Sequence, residues 1–196
     1  MRADPRRTAG QRGLVALAFS LLGAAAAGAA DIDALAEQCA GCHGEGGVSQ
    51  MAEVPSLAGQ PEFFLFDQLF YMREGVRQVE AMEGIADGLS DAEIDALAKR
   101  YAAADPALAG PEPDPARVAD GAALAEARRC ASCHGAGLTG REAIPRLARQ
   151  RVDYLRHALI AYRDETRRGA DTTMTAAVHG LSDGDLDALA HYAAAQ

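Results

Sequence analysis

Absences bound this 196-residue chain before its motifs do. No cysteine stands outside two short motifs, so none is left for a structural disulfide. Bases are scarce: 19 Lys and Arg face 28 Asp and Glu, a formal net charge of −9. Nucleic acid is therefore a poor partner, and a basic protein or basic patch a better one. After residue 30 there is no second long apolar run, so the mature protein is expected to be soluble, without a transmembrane segment. Strand-like alternation is missing too, and both halves read as helices and loops. No triad-like grouping and no spare thiol suggests catalysis.

What is present begins with a leader. Arg2, Arg6, Arg7 and Arg12 precede an apolar run from Leu14 to Ala27, and small residues follow. Residues 1–30 read as a secretory signal peptide, cleaved just before Asp31, which implies export to an oxidising compartment. The run is shorter than the ~20 residues a membrane span needs.

The rest is organised around Cys39-Ala40-Gly41-Cys42-His43 and its recurrence, Cys130-Ala131-Ser132-Cys133-His134. Cys-x-x-Cys-His is the signature of c-type haem attachment. Two thiols about one helical turn apart add across the two vinyl groups of one haem, and the adjacent histidine supplies the proximal iron ligand. A redox disulfide or half of a zinc site would use the same Cys-x-x-Cys, but a redox pair explains neither histidine. Cys39, Cys42, Cys130 and Cys133 are thus expected to bind two covalent haem c groups, with His43 and His134 on the irons.

The duplication extends past the motifs. Val54-Pro55-Ser56-Leu57-Ala58 matches Ile144-Pro145-Arg146-Leu147-Ala148, Gln60 matches Gln150, Arg77 matches Arg167, and Gly88-Leu89-Ser90-Asp91 matches Gly180-Leu181-Ser182-Asp183. Met82 and Met174, 39 and 40 residues after their histidines, are the expected distal ligands; His179 is the rival in the second half. Pro55 and Pro145 can offer carbonyls to the proximal rings, and Arg77 and Arg167 can face haem propionates.

Helices are expected from about Asp33 into Cys39, Pro61 to Glu74, Asp120 into Cys130 and Val152 to Asp164. Two more should start at the capping boxes Ser90/Glu93 and Ser182/Asp185. The prolines at 106, 111, 113 and 115 make a semi-rigid linker over 105–115. It separates a first domain at 31–104 from a second at 116–196. Residues 31–110 hold 15 acids and 4 bases, whereas residues 116–196 hold 10 and 11. Phe63, Phe66 and Phe70 share one helix face, and the second half has Asp153, Arg156 and Ile160 there. That face is expected either to pack against the second domain or an external partner, or to belong to a larger core of the first domain.

With these residues in place, residues 31–196 resemble a di-haem class I cytochrome c, most closely the cytochrome c4 family. The resemblance implies an all-α protein of two tandem cytochrome c-type domains, each wrapping one covalent haem, related by pseudo-twofold symmetry. It implies a periplasmic electron carrier, not an enzyme, passing single electrons between respiratory redox partners. Those would be a membrane oxidase or a quinol-oxidising complex, with peripheral membrane association left open. The cytochrome subunit of a periplasmic dehydrogenase would look the same, whereas a di-haem peroxidase would need an open iron position that Met82 and Met174 argue against. The second half departs from the pattern at Arg149, which replaces Gly59, and at Glu165, which replaces Gly75, so its loops are where differences are expected.

Overall fold

The computed structural model describes Met1, residues 31–167, residue 169 and residues 172–196; apart from Met1, the expected signal peptide lies outside the described residues. Among them the chain is all-α, with eight helices and no strand beyond one isolated bridge, Arg141 to Ile144. The first half contributes α1 (Ile32–His43), α2 (Glu62–Arg73) and α3 (Asp91–Ala102). The second contributes α4 (Pro115–Ala127), α5 (Ala131–His134), α6 (Val152–Arg163), α7 (Thr172–Val178) and α8 (Asp183–Ala194).

The helix starts follow local chemistry. Ser90 accepts from the Glu93 N–H while Glu93 accepts from the Ser90 N–H, and Ser182 and Asp185 repeat the arrangement at α8. Each box satisfies two of the N–H groups that a helix start leaves without partners. Asp31 caps α1 by accepting from Asp33 and Ala34.

α4 begins earlier than its periodicity suggests. Asp114 accepts from the Ala116 N–H, and Pro115, whose fixed φ suits a first helical position, starts the helix five residues before Asp120. It also stops short of the motif: Arg129 takes φ 56°, and Ala131–His134 form a separate short helix with Cys130 at its N-cap. α1 instead runs unbroken through Cys39 to His43.

Each half has its own core. Ile94, Leu97, Ala98 and Tyr101 are the buried face of α3, as their spacing predicts; Ala36 and Leu65 pack against Leu97, Ala98 and Tyr101. Burying one such leucine is worth roughly 1.5–3 kcal/mol. In the second half α8 is central, with Leu186, Leu189, Ala190 and Ala193 buried under α4 and α6. Gly121 allows α4 to approach: a Cβ there would lie 2.1 Å from the Ala188 carbonyl oxygen.

The phenylalanine face does not act as one surface. Phe66 packs into the first core, Phe70 stacks on Phe66 at 6.2 Å beneath Arg73, and Phe63 alone is 65% exposed. At about 100° per residue, Phe66 lies only ~60° from Leu69 and is drawn into the buried stripe, whereas Phe63 lies ~120° away.

The halves meet through buried polar groups, in reciprocal fashion. Gln60 Nε2 donates to the Arg146 carbonyl (2.8 Å) and the Arg146 N–H donates to Gln60 Oε1 (3.0 Å). Gln150 makes the same two bonds with Ser56, each 2.8 Å. Gln60 matches Gln150 and Ser56 matches Arg146, so these four bonds are related by a pseudo-twofold. The Arg146 side chain lies close to that axis. Its guanidinium donates to Ala58 O (2.6 Å), to Gly59 O (3.1 Å) and to Ala148 O, so it joins the equivalent carbonyls of residues 58 and 148. Arg151 adds a bond to Ser49 O at 3.1 Å.

Candidate functional site

In each half the motif puts one thiol inward and one outward. Cys39 packs against the first core and Cys130 against the second, while Cys42 and Cys133 are exposed. Burial pushes the Cys39 and Cys130 thiols above their ordinary value; for Cys39, hydrogen bonds with Tyr101 and its own backbone oppose this only in part. Reactive redox cysteines are tuned the other way, toward the thiolate. Nor do three His, Cys, Asp or Glu side chains gather anywhere among the described residues as a metal-ion site. A pooled four-thiolate zinc centre therefore has no place here.

The motif histidines behave as a matched pair. His43 Nδ1 lies 2.9 Å from Pro55 O, and His134 Nδ1 lies 2.9 Å from Pro145 O. A carbonyl can only accept, so Nδ1 carries the proton and Nε2 keeps its lone pair. Burial lowers both pKa values, partly offset by the proline carbonyls, so both rings are neutral near pH 7. A neutral ring with Nδ1 tied back is oriented to bind a metal through Nε2.

The methionines occupy matched stretches of chain. Met82 ends a 3-10 turn, Glu80–Met82, between α2 and α3, half-buried. Met174 lies in α7, between α6 and α8, half-buried against Ala125, Val178, Leu181, Leu186 and Leu189. The helix around Met174 is not legible in the first half, where a loop and a 3-10 turn take its place. His179 is exposed, with its carbonyl near Arg128.

Arg77 and Arg167, one from each half, both lie beside Tyr154. Burial and the charge of Arg167 lower the Arg77 pKa, while Arg167, although burial opposes it, is held above its ordinary value by Tyr154 and Tyr162. Arg77 Nη1 donates to Gln68, but its Nε is buried and hydrogen-bonded to nothing among the described residues. No carboxylate among those residues pairs with either guanidinium. Two partly buried cations and an orphaned donor suit an anionic group, and haem carboxylates are such a group. The donor set thus fits a covalent haem in each half: two thiols, a tied-back histidine, a methionine, and arginines without a carboxylate partner among the described residues.

The glutamines were legible as repeat equivalents only. Nothing in their spacing reveals that each reaches across to the other half, or that Arg146 and Arg151 are buried there.

Known proteins resemble this chain over nearly its whole length. Residues 118–194 match the family model Cytochrome c, and residues 23–99 match Cytochrome C oxidase, cbb3-type, subunit III. The chain is 35% identical to the thiosulfate dehydrogenase electron acceptor of Thiomonas intermedia, across 82% of this chain and 79% of that protein. It is 31% identical to cytochrome c4 of Pseudomonas aeruginosa, across 91% and 94%. The crystal structure of reduced recombinant cytochrome c4 from Pseudomonas stutzeri superposes with a TM-score of 0.74 at 28% identity, covering 84% of this chain and 97% of that one.

Proposed function

Because the chain belongs to the cytochrome c4 family of di-haem electron carriers, we propose that it carries single electrons in the periplasm between respiratory redox partners, toward a terminal oxidase. It is an electron-transfer protein, not an enzyme. A bound haem supplies an iron that takes up and releases one electron. In this reading Cys39 and Cys42 hold one haem and Cys130 and Cys133 the other. His43 and Met82 would ligate one iron, and His134 and Met174 the other. Pro55 and Pro145 fix the imidazole rings, and Arg77 and Arg167 neutralise haem carboxylates. The domains run over 31–104 and 116–196 around the linker at 105–115, behind a leader at 1–30.

The observation that carries the reading is the duplicated histidine geometry: two neutral rings, each tied through Nδ1 to a proline carbonyl at 2.9 Å. His/Met ligation would close both iron positions and raise the potentials, as suits a carrier. The 35% identity to a thiosulfate dehydrogenase electron acceptor favours a second reading, a dedicated acceptor for a periplasmic dehydrogenase.

The test is spectroscopic. The oxidised holoprotein is expected to show the methionine-to-iron charge-transfer band at an intensity for two haems per chain. Met174→Ala should halve that band and open one haem to carbon monoxide. A variant that keeps the full band and stays closed would remove Met174 from the ligand set.

A further inference from the structure

The two glutamines of the domain interface contact particular peptide groups. The Pro55–Ser56 peptide accepts through its carbonyl from His43 Nδ1 (2.9 Å) and donates through its N–H to Gln150 Oε1 (2.8 Å). The Pro145–Arg146 peptide does the same, with His134 on its carbonyl (2.9 Å) and Gln60 Oε1 on its N–H (3.0 Å). No peptide bond among the described residues is cis, so C=O and N–H point in opposite directions. Each of these peptides therefore lies between a proximal histidine of its own half and a glutamine of the other. Both glutamines are almost wholly buried, at 4% and 2% exposure, so little water competes for these bonds.

Hydrogen bonds in series polarise one another, and the effect is stronger away from water. An acceptor on the peptide N–H raises the negative charge on the carbonyl oxygen. That strengthens the bond from histidine Nδ1–H and makes the imidazole a more electron-rich ligand. An electron-rich ligand favours the oxidised iron and lowers the potential; hydrogen bonding behind an axial ligand is one of the levers a protein has on haem. The glutamines also satisfy backbone groups that the interface buries. Placing an amide oxygen on these two peptide N–H groups has the added effect described.

We propose that the coupling is crossed: Gln150 lowers the potential of the haem held by His43, and Gln60 that of the haem held by His134. Each half sets the redox level of the other. The glutamines are positioning residues, acting through the peptide and the histidine. The inference rests on His43 and His134 being the iron ligands.

The experiment uses the full holoprotein. Reduction potentials of both haems are measured by spectroelectrochemical titration. The two couples are assigned, and the histidine Nδ1–H resonances followed, by proton NMR. Gln150→Leu deletes the acceptor at similar size. It should raise the couple of the His43 haem, leave the His134 couple in place, and move the His43 Nδ1–H resonance upfield. Gln60→Leu should do the reverse. Gln150→Glu keeps an oxygen on the Ser56 N–H in either protonation state, so its His43 couple should lie at or below that of the parent protein.

Equal shifts of both couples in a single variant, a shift in the variant's own half, or no shift in either leucine variant would overturn the proposal. Should Gln150→Leu fail to accumulate with both haems, Gln60→Leu and Gln150→Glu decide the matter alone. A parent protein without two histidine-ligated covalent haems would instead remove the ligand reading, which the titration shows separately.

Discussion

Glu165 holds the same left-handed backbone conformation as Gly75, its counterpart in the first half: φ is 56° at one and 67° at the other. Their turns are alike, with the Glu165 N–H donating to Tyr162 O and the Gly75 N–H to Met72 O. Arg149 and Gly59 show the same relation, at 55° and 65°. The turns at these two positions therefore keep their shape, the difference between the halves falling instead in the stretch around Met174, and the second half carries the strain. A left-handed conformation costs a non-glycine residue about 1–2 kcal/mol, part of which glycine returns through the entropy of the unfolded chain. Glu165 is exposed, so Glu165→Gly should stabilise the holoprotein by roughly 0.5–1 kcal/mol. Urea denaturation checks this, and a lower midpoint would contradict it.

A second prediction concerns acid. Burial works against the charged form of Asp153, yet bonds from the Arg151 guanidinium and the Tyr154 N–H hold its carboxyl below its ordinary value. A depressed carboxylate contributes stability that is fully present above its unfolded pKa, near 4, and lost as pH falls through the folded one. The same Arg151 reaches across to Ser49 O, so protonating Asp153 loosens an interdomain contact. Asp153→Asn should cost about 1–3 kcal/mol at neutral pH and flatten the loss of stability below pH 4. Denaturation midpoints at pH 7 and pH 3 would show it; equal slopes in parent and variant would refute it.

The third prediction concerns encounter with partners. The first half carries most of the negative charge, with 15 acids and 4 bases over residues 31–110. Electron transfer to a basic partner should slow as ionic strength rises from 10 to 150 mM, where the screening length falls from about 30 to 8 Å. Stopped-flow rates with a small basic redox protein test this. A rate indifferent to salt would mean that the acidic face is not the docking face.

Much of this was legible in the residues. Two capping boxes, the α3 stripe and the repeat of Pro55 as Pro145 rest on local spacing, and local spacing survives folding. Whether the phenylalanine face is core or interaction surface was not legible, because a helical wheel gives angles without saying how wide the buried stripe is. Phe66 fell just inside it and Phe63 outside. α4 starts five residues before the position its periodicity predicts, because Asp114 and Pro115 begin the helix at the end of the proline-rich stretch. The roles of Gln60, Gln150 and Arg146 were out of reach, because their bonds span 86 to 94 residues of chain.

Arg146 has a consequence for how the halves choose each other. Its guanidinium joins equivalent carbonyls of the two halves, Ala58 O and Ala148 O, and the first half offers only Ser56 at the matching place. Two second halves brought together by these contacts would drive two guanidinium groups into one spot. Two first halves would leave the carbonyls of residues 58 and 59 without a donor. The unlike pair avoids both. The duplicated fold thereby favours pairing of its two unlike halves over pairing of like ones.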